Sequence, residues 1–190
     1  MQLIKPEDSL LSGNLVLKPI VRAHAAALFG ALQAPELYAF LPQDPPKSLE
    51  ALQARYEQLS KRKSPDGTEI WLNYAVFHPA DDACLGTVQA TCTAAGKTYL
   101  AYEVFPSYWR RGIGREACRI LISHLFFTYK VPVISALVDT RNERSCRLLE
   151  ALGFHRNDTI KNATHFKGER SDEYLYEIGR KEWNEPKEVS

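Results

Sequence analysis

A chain of 190 residues, 45% hydrophobic and 25% charged, suffices for one compact domain with a real core and is too short for a second full one. Its formal net charge of +1 excludes the global field that marks non-specific nucleic-acid binding, so any basic surface must be local. The four cysteines, Cys84, Cys92, Cys118 and Cys146, form no C-x-x-C pair and no metal-ligand spacing with the five histidines, which reads as reduced, mostly buried thiols and no metal.

In chain order, Met1 to Asp8 lacks a basic segment followed by an apolar stretch, so no signal peptide is expected. No apolar run is long enough to span a bilayer, and a soluble cytoplasmic protein without membrane or nucleic-acid partners is expected. Leu15-Val16-Leu17-Lys18-Pro19 reads as a short first strand, and the Ala-rich stretch His24 to Gln33 is helical in propensity. The prolines of Leu41 to Lys47 make a loop, after which Ser48 can cap a helix striped by Leu49, Leu52, Tyr56 and Leu59. Lys61-Arg62-Lys63 ends that helix as a solvated cluster, and Ser64-Pro65-Asp66-Gly67 is a turn. Three strands follow, Ile70 to Phe77, Cys84 to Thr93 and Thr98 to Phe105, with breaks short enough to favour antiparallel neighbours. A helix with Ile113, Ala117, Ile120, Leu121 and Leu125 at helical spacing leads to Val131 to Val138, a buried strand reached by a crossover. Asn142 to Leu152 is a helix ending at Gly153, strands lie around Phe154 to Ile160 and Tyr174 to Ile178, and the tail after Trp183 reads as loose.

Two strand-to-helix junctions carry chemistry. In Pro106-Ser107-Tyr108-Trp109-Arg110-Arg111-Gly112-Ile113-Gly114-Arg115-Glu116-Ala117, the glycines sit at the helix start. Without side chains there, the unpaired amides of the first turn can approach an anion, and the helix dipole adds attraction. Arg110, Arg111 and Arg115 flank them. Two readings stand: an anion cradle, or a tight turn with solvated arginines. No Lys-Ser/Thr follows a Gly-x-x-x-x-Gly and no third glycine completes Gly-x-Gly-x-x-Gly, which demotes a P-loop and a dinucleotide fold. The second junction, Val138-Asp139-Thr140-Arg141-Asn142-Glu143-Arg144-Ser145, places Asn142 and Ser145 one turn apart at a helix start. By itself this reads as helix capping.

The two junctions, in this order and at this distance, resemble the GNAT superfamily of acetyl-CoA-dependent N-acetyltransferases. Pro-x-x-Trp-x-x-Gly-x-Gly followed by Glu-Ala is similar to the branch containing the ribosomal-protein N-terminal acetyltransferases. Leu15 to Pro19 resembles that branch's opening strand, Leu85-Gly86-Thr87-Val88 its central hairpin strand, and Asp172 to Ile178 with Trp183 its closing segment. The resemblance covers nearly the whole chain, although Ala34 to Gly67 matches only in type. It implies an α/β fold of α+β type over residues 1 to 190: a mixed, mostly antiparallel twisted sheet of six to seven strands, about four helices, splayed strands at the cofactor site, and a loose tail from about 184. It also implies acetyl-CoA as co-substrate without a metal, an amine acceptor, and a monomer or homodimer. Arg110, Arg111, Gly112, Ile113, Gly114, Arg115, Asn142 and Ser145 would hold the carrier, with a backbone amide at Val104 and Phe105 near the acetyl carbonyl. Trp109 stands where the broader superfamily has Gln or Arg. Leu149 stands where many members have a tyrosine acid, which excludes a tyrosine acid at that place.

That leaves Ser145, near the carrier sulfur in the resembling branch, to donate a hydrogen bond or relay a proton to a developing thiolate. Cys146 offers the rival of an acyl-cysteine intermediate, against which stand its helix-stripe neighbours and the direct transfer that the resemblance implies. Glu103, opposite Tyr102 and Val104 by strand alternation, is the candidate base, with a surface glutamate or a water chain as alternatives. An α-amine of pKa near 8 is roughly 10% neutral at pH 7, a lysine of about 10.4 only roughly 0.04%, so an α-amine needs less help. The resemblance places the acceptor groove at Ala34 to Gly67 and at a loop, Lys161 to Ser171, and Asp44, Glu50 and Glu57 could attract a cationic amine. A protein N-terminal α-amine is expected as acceptor, with a polyamine or aminoglycoside-like amine as the alternative. A non-catalytic acyl-CoA-binding module and a phosphate-dependent regulatory protein are the readings from other classes.

Overall fold

The computed structural model describes residues 8–12 and 14–183. The N-terminal residues before Asp8 and the tail from about 184, both read above, lie outside the described residues. Two strands, β1 (Leu10–Ser12) and β2 (Leu15–Pro19), lead to helix α1 (His24–Phe29), 3-10 turns at Ala31–Gln33 and Pro35–Tyr38, and helix α2 (Leu49–Leu59). Strands β3 (Glu69–Phe77), β4 (Cys84–Thr93) and β5 (Thr98–Val104) follow, then a 3-10 turn at Pro106–Tyr108 and helix α3 (Ile113–Phe127). Strand β6 (Val133–Asp139), helix α4 (Glu143–Ala151) and strands β7 (His155–Phe166) and β8 (Glu169–Gly179) complete the chain.

Local chemistry explains most boundaries. Ser48 caps α2 by accepting the Ala51 N–H at 3.1 Å, and Leu52 and Tyr56 turn into the core. Helix α3 buries Leu121, Ile122 and Leu125 completely, each worth about 1.5–3 kcal/mol of transfer free energy. The Ser64 turn closes through the Gly67 N–H, 2.9 Å from the Ser64 carbonyl.

Among the described residues all strands join one sheet in the order β1-β2-β3-β4-β5-β6-β8-β7, antiparallel throughout except where β5 meets β6. This is the mixed, mostly antiparallel α/β architecture that the sequence implies, with one strand more than the six to seven expected. The eighth is β1, too short to show a hydrophobic period, whose residues pair Leu10 with Leu17 and Ser12 with Leu15. A second difference concerns Lys161 to Ser171. It is a hairpin rather than a loop, with Thr164 to Phe166 pairing Ser171 to Glu169 across a turn whose Lys167 and Gly168 both have positive φ, 52° and 80°. Two consecutive positive φ values match the twist of the strands, and polar composition hid the strands.

The sheet separates two cores. Helices α3 and α4 cover one face, where Leu121, Leu149, Ile134 and Tyr176 pack, and α1 and α2 cover the other over Ala75, Phe77 and Phe105. Where β4 crosses β5, a Cβ on Gly86 would sit 2.1 Å from the Glu103 carbonyl oxygen. Only glycine permits that approach. Gly86→Ala should therefore cost at least about 1–3 kcal/mol in urea denaturation. Gly30→Ala should be neutral or stabilising by up to about 1 kcal/mol, because Gly30 is in the right-handed helical region with nothing within 4 Å of the added methyl.

Candidate functional site

Strands β5 and β6 share a single register pair, Tyr99 with Ser135. Beyond it they diverge. The Phe105 N–H donates to the Leu85 carbonyl at 2.9 Å, so by alternation the N–H and C=O of Val104 turn away from β4, toward the gap. The Val104 carbonyl accepts the Trp109 indole N–H at 2.6 Å, leaving its amide facing the gap without a strand partner. Of the two amides expected near the acetyl carbonyl, the one at Val104 is therefore available. That of Phe105 is committed to β4, and its side chain is buried in the core under α1 and α2.

The gap opens into a cleft of about 470 Å³ bounded by β5, β6, the turn after β5, the starts of α3 and α4, and the segment from Glu36 to Pro42. At its upper end, α3 begins at Gly112 in the left-handed region (φ 76°) with no side-chain cap. The two glycines there have different physical reasons. A Cβ on Gly112 would meet nothing within 4 Å, so its surroundings are open for a ligand, whereas one on Gly114 would lie 3.0 Å from Leu148 and 3.2 Å from Val104. Gly114 thus lets α3 pack against α4 and β5.

Arg110 and Arg115 line this end, joined by Arg144 and Arg147 from α4. Arg111 does not; its guanidinium lies over the Tyr108 ring, 5.7 Å from the centroid. The Arg144 guanidinium stacks 3.5 Å from the Trp109 centroid, and burial together with the like charge of Arg110 lowers its pKa. Two guanidinium groups held close, beside an uncapped helix start, form a receptor for a multiply charged anion such as a pyrophosphate. Sequence reasoning assigns no role to Arg144 and Arg147; their placement on either side of Ser145 at the start of α4 is the signal that points to them.

At the start of α4, the Asn142 Oδ1 accepts the Ser145 N–H at 3.2 Å, the capping role that the sequence suggests. The turn before it is tied down by Asp139. Burial acts to raise this carboxyl, yet hydrogen bonds from Arg141 and Ser171 outweigh it and hold the pKa at about 2. Ser145 is half-buried in the cleft wall, and the Tyr102 hydroxyl donates to its Oγ at 3.1 Å. Cys146 lies behind, buried, its thiol pushed up by burial. It does not line the cleft, and a protonated thiol is no nucleophile.

Glu103 projects from the opposite face of β5 into the lower end of the cleft, half-buried, with its carboxyl pKa raised by burial and pulled back by Arg55. Its charge adds to the burial that pushes the Tyr38 phenol up to about 12. Leu37, Phe40, Leu41 and Pro42 wall this end, with Glu36 and Glu173 at its margins. Asp44, Glu50 and Glu57 do not line it, and Glu57 is engaged by Arg22 at 2.9 Å. Lys167, at the tip of the β7–β8 hairpin, donates to the Tyr38 carbonyl and ties that hairpin to the wall. No cluster of metal-ligating side chains occurs among the described residues.

Such a cleft, with an unpartnered backbone amide between splayed strands, guanidinium groups at two helix starts and a half-buried carboxyl on the other face of β5, has the form of a site for an elongated anionic ligand. A family model described as an acetyltransferase (GNAT) domain matches residues 14–155. The chain belongs to the GNAT acetyltransferase family and is a GNAT-type N-acetyltransferase, a class whose co-substrate is acetyl-CoA. It is 23% identical over 171 residues to the uncharacterised N-acetyltransferase YoaA of Bacillus subtilis, covering 89% of this chain and 95% of that one. The ribosomal-protein-S5-alanine acetyltransferase of Vibrio fischeri shares the fold with a TM-score of 0.78 at 21% identity, over 93% of this chain and 99% of that one. A spermidine N-acetyltransferase SpeG chimera from Vibrio cholerae and hSSAT superposes with a TM-score of 0.75 at 16% identity, over 89% of this chain and 97% of that one.

The open glycine, the uncapped helix start and the paired guanidinium groups fit the pyrophosphate of such a carrier. Arg144→Gln should weaken CoA binding about tenfold, the loss of one charge-assisted hydrogen bond, and flatten its salt dependence, with little change in melting temperature. Calorimetric titration at two ionic strengths checks this. Unchanged affinity would leave Arg144 as packing on Trp109.

Proposed function

We propose that the enzyme transfers acetyl from acetyl-CoA directly to a protein N-terminal α-amine, with Glu103 as base and Ser145 as hydrogen-bond donor at the leaving sulfur. The observation that carries the acceptor class is the wall formed by Leu37, Phe40, Leu41 and Pro42 beside Glu103. An apolar wall receives the first side chains of a peptide. A polyamine, with a charge every few carbons, gains little from it and must desolvate its ammonium groups. Ribosomal-protein and spermidine acetyltransferases both share the fold, so the wall and not the fold separates the two acceptor classes. Glu36 and Glu173 at the margins favour the second reading, a small cationic amine.

The chemistry divides across β5. Acetyl-CoA supplies the thioester whose C–S bond breaks as the acceptor N–C bond forms. Glu103, raised toward neutrality by burial, accepts the ammonium proton, directly or through a water, and its opposite charge draws the amine into the cleft. The free Val104 amide is directed at negative charge developing on the acetyl oxygen, and being part of the sheet it needs no reorganisation. Ser145 donates its hydroxyl hydrogen to the electron pair left on sulfur. Uncapped amides at Gly112 to Arg115 and the arginines around them hold the phosphates, which fixes the reacting end at the divergence.

A panel of N-terminal peptides, lysine peptides, polyamines and aminoglycosides, scored by kcat/KM for thiol release, tests the acceptor. Peptide α-amines should lead, and a polyamine leading by tenfold or more would overturn the assignment. Glu103→Gln should lower kcat/KM most between the pKa of Glu103, above its ordinary value, and that of the amine, near 8. In that window the wild type has an ionised base but little free amine. The deficit should shrink at higher pH as free amine becomes abundant, whereas a loss equal at every pH would mark Glu103 as a packing residue.

A further inference from the structure

Ser145 alone is a weak candidate for orienting a hydrogen at a sulfur. A serine in the first turn of a helix rotates freely or turns its hydrogen back to a nearby backbone carbonyl. The structure supplies what such a serine lacks. Tyr102 lies on the face of β5 opposite Glu103 and reaches across to α4, placing its Oη 3.1 Å from Ser145 Oγ and 3.4 Å from the Ser145 carbonyl oxygen. We propose that Tyr102 is a positioning residue for this reaction: by donating into Ser145 Oγ it directs the single Ser145 hydroxyl hydrogen into the cleft, toward the leaving sulfur. The proposal rests on the reading of Ser145 given above.

The geometry selects this arrangement by counting hydrogens. A hydroxyl has one hydrogen and two acceptor positions. When Oγ accepts from the phenol, its own hydrogen remains for a ligand. The opposite arrangement, with the phenol donating to the Ser145 carbonyl and receiving the serine hydrogen, would turn that hydrogen away from the cleft, and the carbonyl is the more distant acceptor. The backbone of Ser145 is fixed independently, through its N–H to Asn142 Oδ1 at 3.2 Å. The serine therefore has a fixed Cα, an occupied lone pair and one free hydrogen. Helix α4 cannot supply a phenol of its own at the next turn, where Leu149 is fully buried in the core.

Charge and protons balance without moving a proton through Tyr102. Burial, with nearby Cys118, drives its phenol far above the ordinary tyrosine value, against the pull of the Ser145 hydrogen bond, so it is a neutral donor throughout the working range. Of the two protons the ammonium nitrogen loses, the first passes to Glu103 before attack, and the second leaves the nitrogen through water to solvent as the N–C bond forms. The electron pair of the broken C–S bond stays on sulfur, opposite the Ser145 hydrogen, and the resulting thiolate is protonated by solvent after release. Tyr102 and Ser145 both keep their protons.

Tyr102→Phe, Ser145→Ala and the double variant test this, compared well below their melting temperatures. Tyr102→Phe should lower kcat about tenfold, the effect of about one hydrogen bond, with the KM for acetyl-CoA changed less than twofold. The double variant should be no slower than Ser145→Ala, because Tyr102 acts through the serine. A readout apart from turnover is the thiol of bound CoA, titrated by the ultraviolet absorbance of its thiolate. Its pKa should lie about half a unit higher in Tyr102→Phe than in the wild type, and should not differ between Ser145→Ala and the double variant. An unchanged kcat and thiol pKa in Tyr102→Phe, with Ser145→Ala impaired, would overturn the role of Tyr102 alone. An additive loss in the double variant would overturn it too. Wild-type turnover in Ser145→Ala would instead overturn the underlying reading of Ser145.

Discussion

The divergence of β5 from β6 after one shared register pair is the constraint on which the site depends. Parallel strands that continued side by side would consume the Val104 amide and close the gap. Because they part, a backbone N–H at the centre of the molecule is left without a strand partner, and a buried or half-buried orphan of this kind must be satisfied by a ligand or water. Trp109 reinforces the arrangement by taking the Val104 carbonyl, which fixes the strand end while leaving the amide free. The wedge of space between the strands admits the starts of α3 and α4 on one side and the Glu36 to Pro42 segment on the other.

Strand alternation then sorts the chemistry. Tyr102 and Val104 side chains turn toward α3 and α4, and Glu103 turns toward α2 and the 3-10 turn that holds Tyr38. A phenol–serine pair and a carboxylate are thereby delivered to opposite sides of one backbone, a few ångströms apart along it. Charge is sorted as well: guanidinium groups gather at the starts of α3 and α4, and Glu36, Glu103 and Glu173 line other parts of the cleft. Asp139 keeps the second wall in place, since its carboxylate gathers the Arg141 backbone and guanidinium with the Ser171 hydroxyl and so pins the β6–α4 turn to β8.

Much of this fold was legible in the residues. Helix α2 announced itself through Ser48 and the Leu52–Tyr56 stripe, and the crossover to β6 through an apolar run of strand length. The strand β1 and the long β7–β8 hairpin were not legible, because one is too short to show a period and the other is polar on its exposed side. At the site, the helix starts at Gly112 and Asn142 are legible in the sequence, since helix starts are local events. That Gly114 also packs α3 against Leu148 and Val104, and that the Phe105 amide is committed to Leu85, depends on what surrounds them. Arg144, which no sequence motif singles out, faces the cleft.

By itself the sequence determined the order of most elements, the glycine-bearing helix start and the placement of Glu103 and Tyr102 on opposite faces, because each depends on residues close together in the chain. The tertiary structure alone decided that Tyr102 meets Ser145, 43 residues away, that Phe105 spends its amide on β4, and that Leu37, Phe40, Leu41 and Pro42 line the cleft while Asp44, Glu50 and Glu57 do not. Those outcomes depend on where β5 and β6 part and on which side chains the two cores have room for. Such properties belong to the packed sheet and to no segment of it.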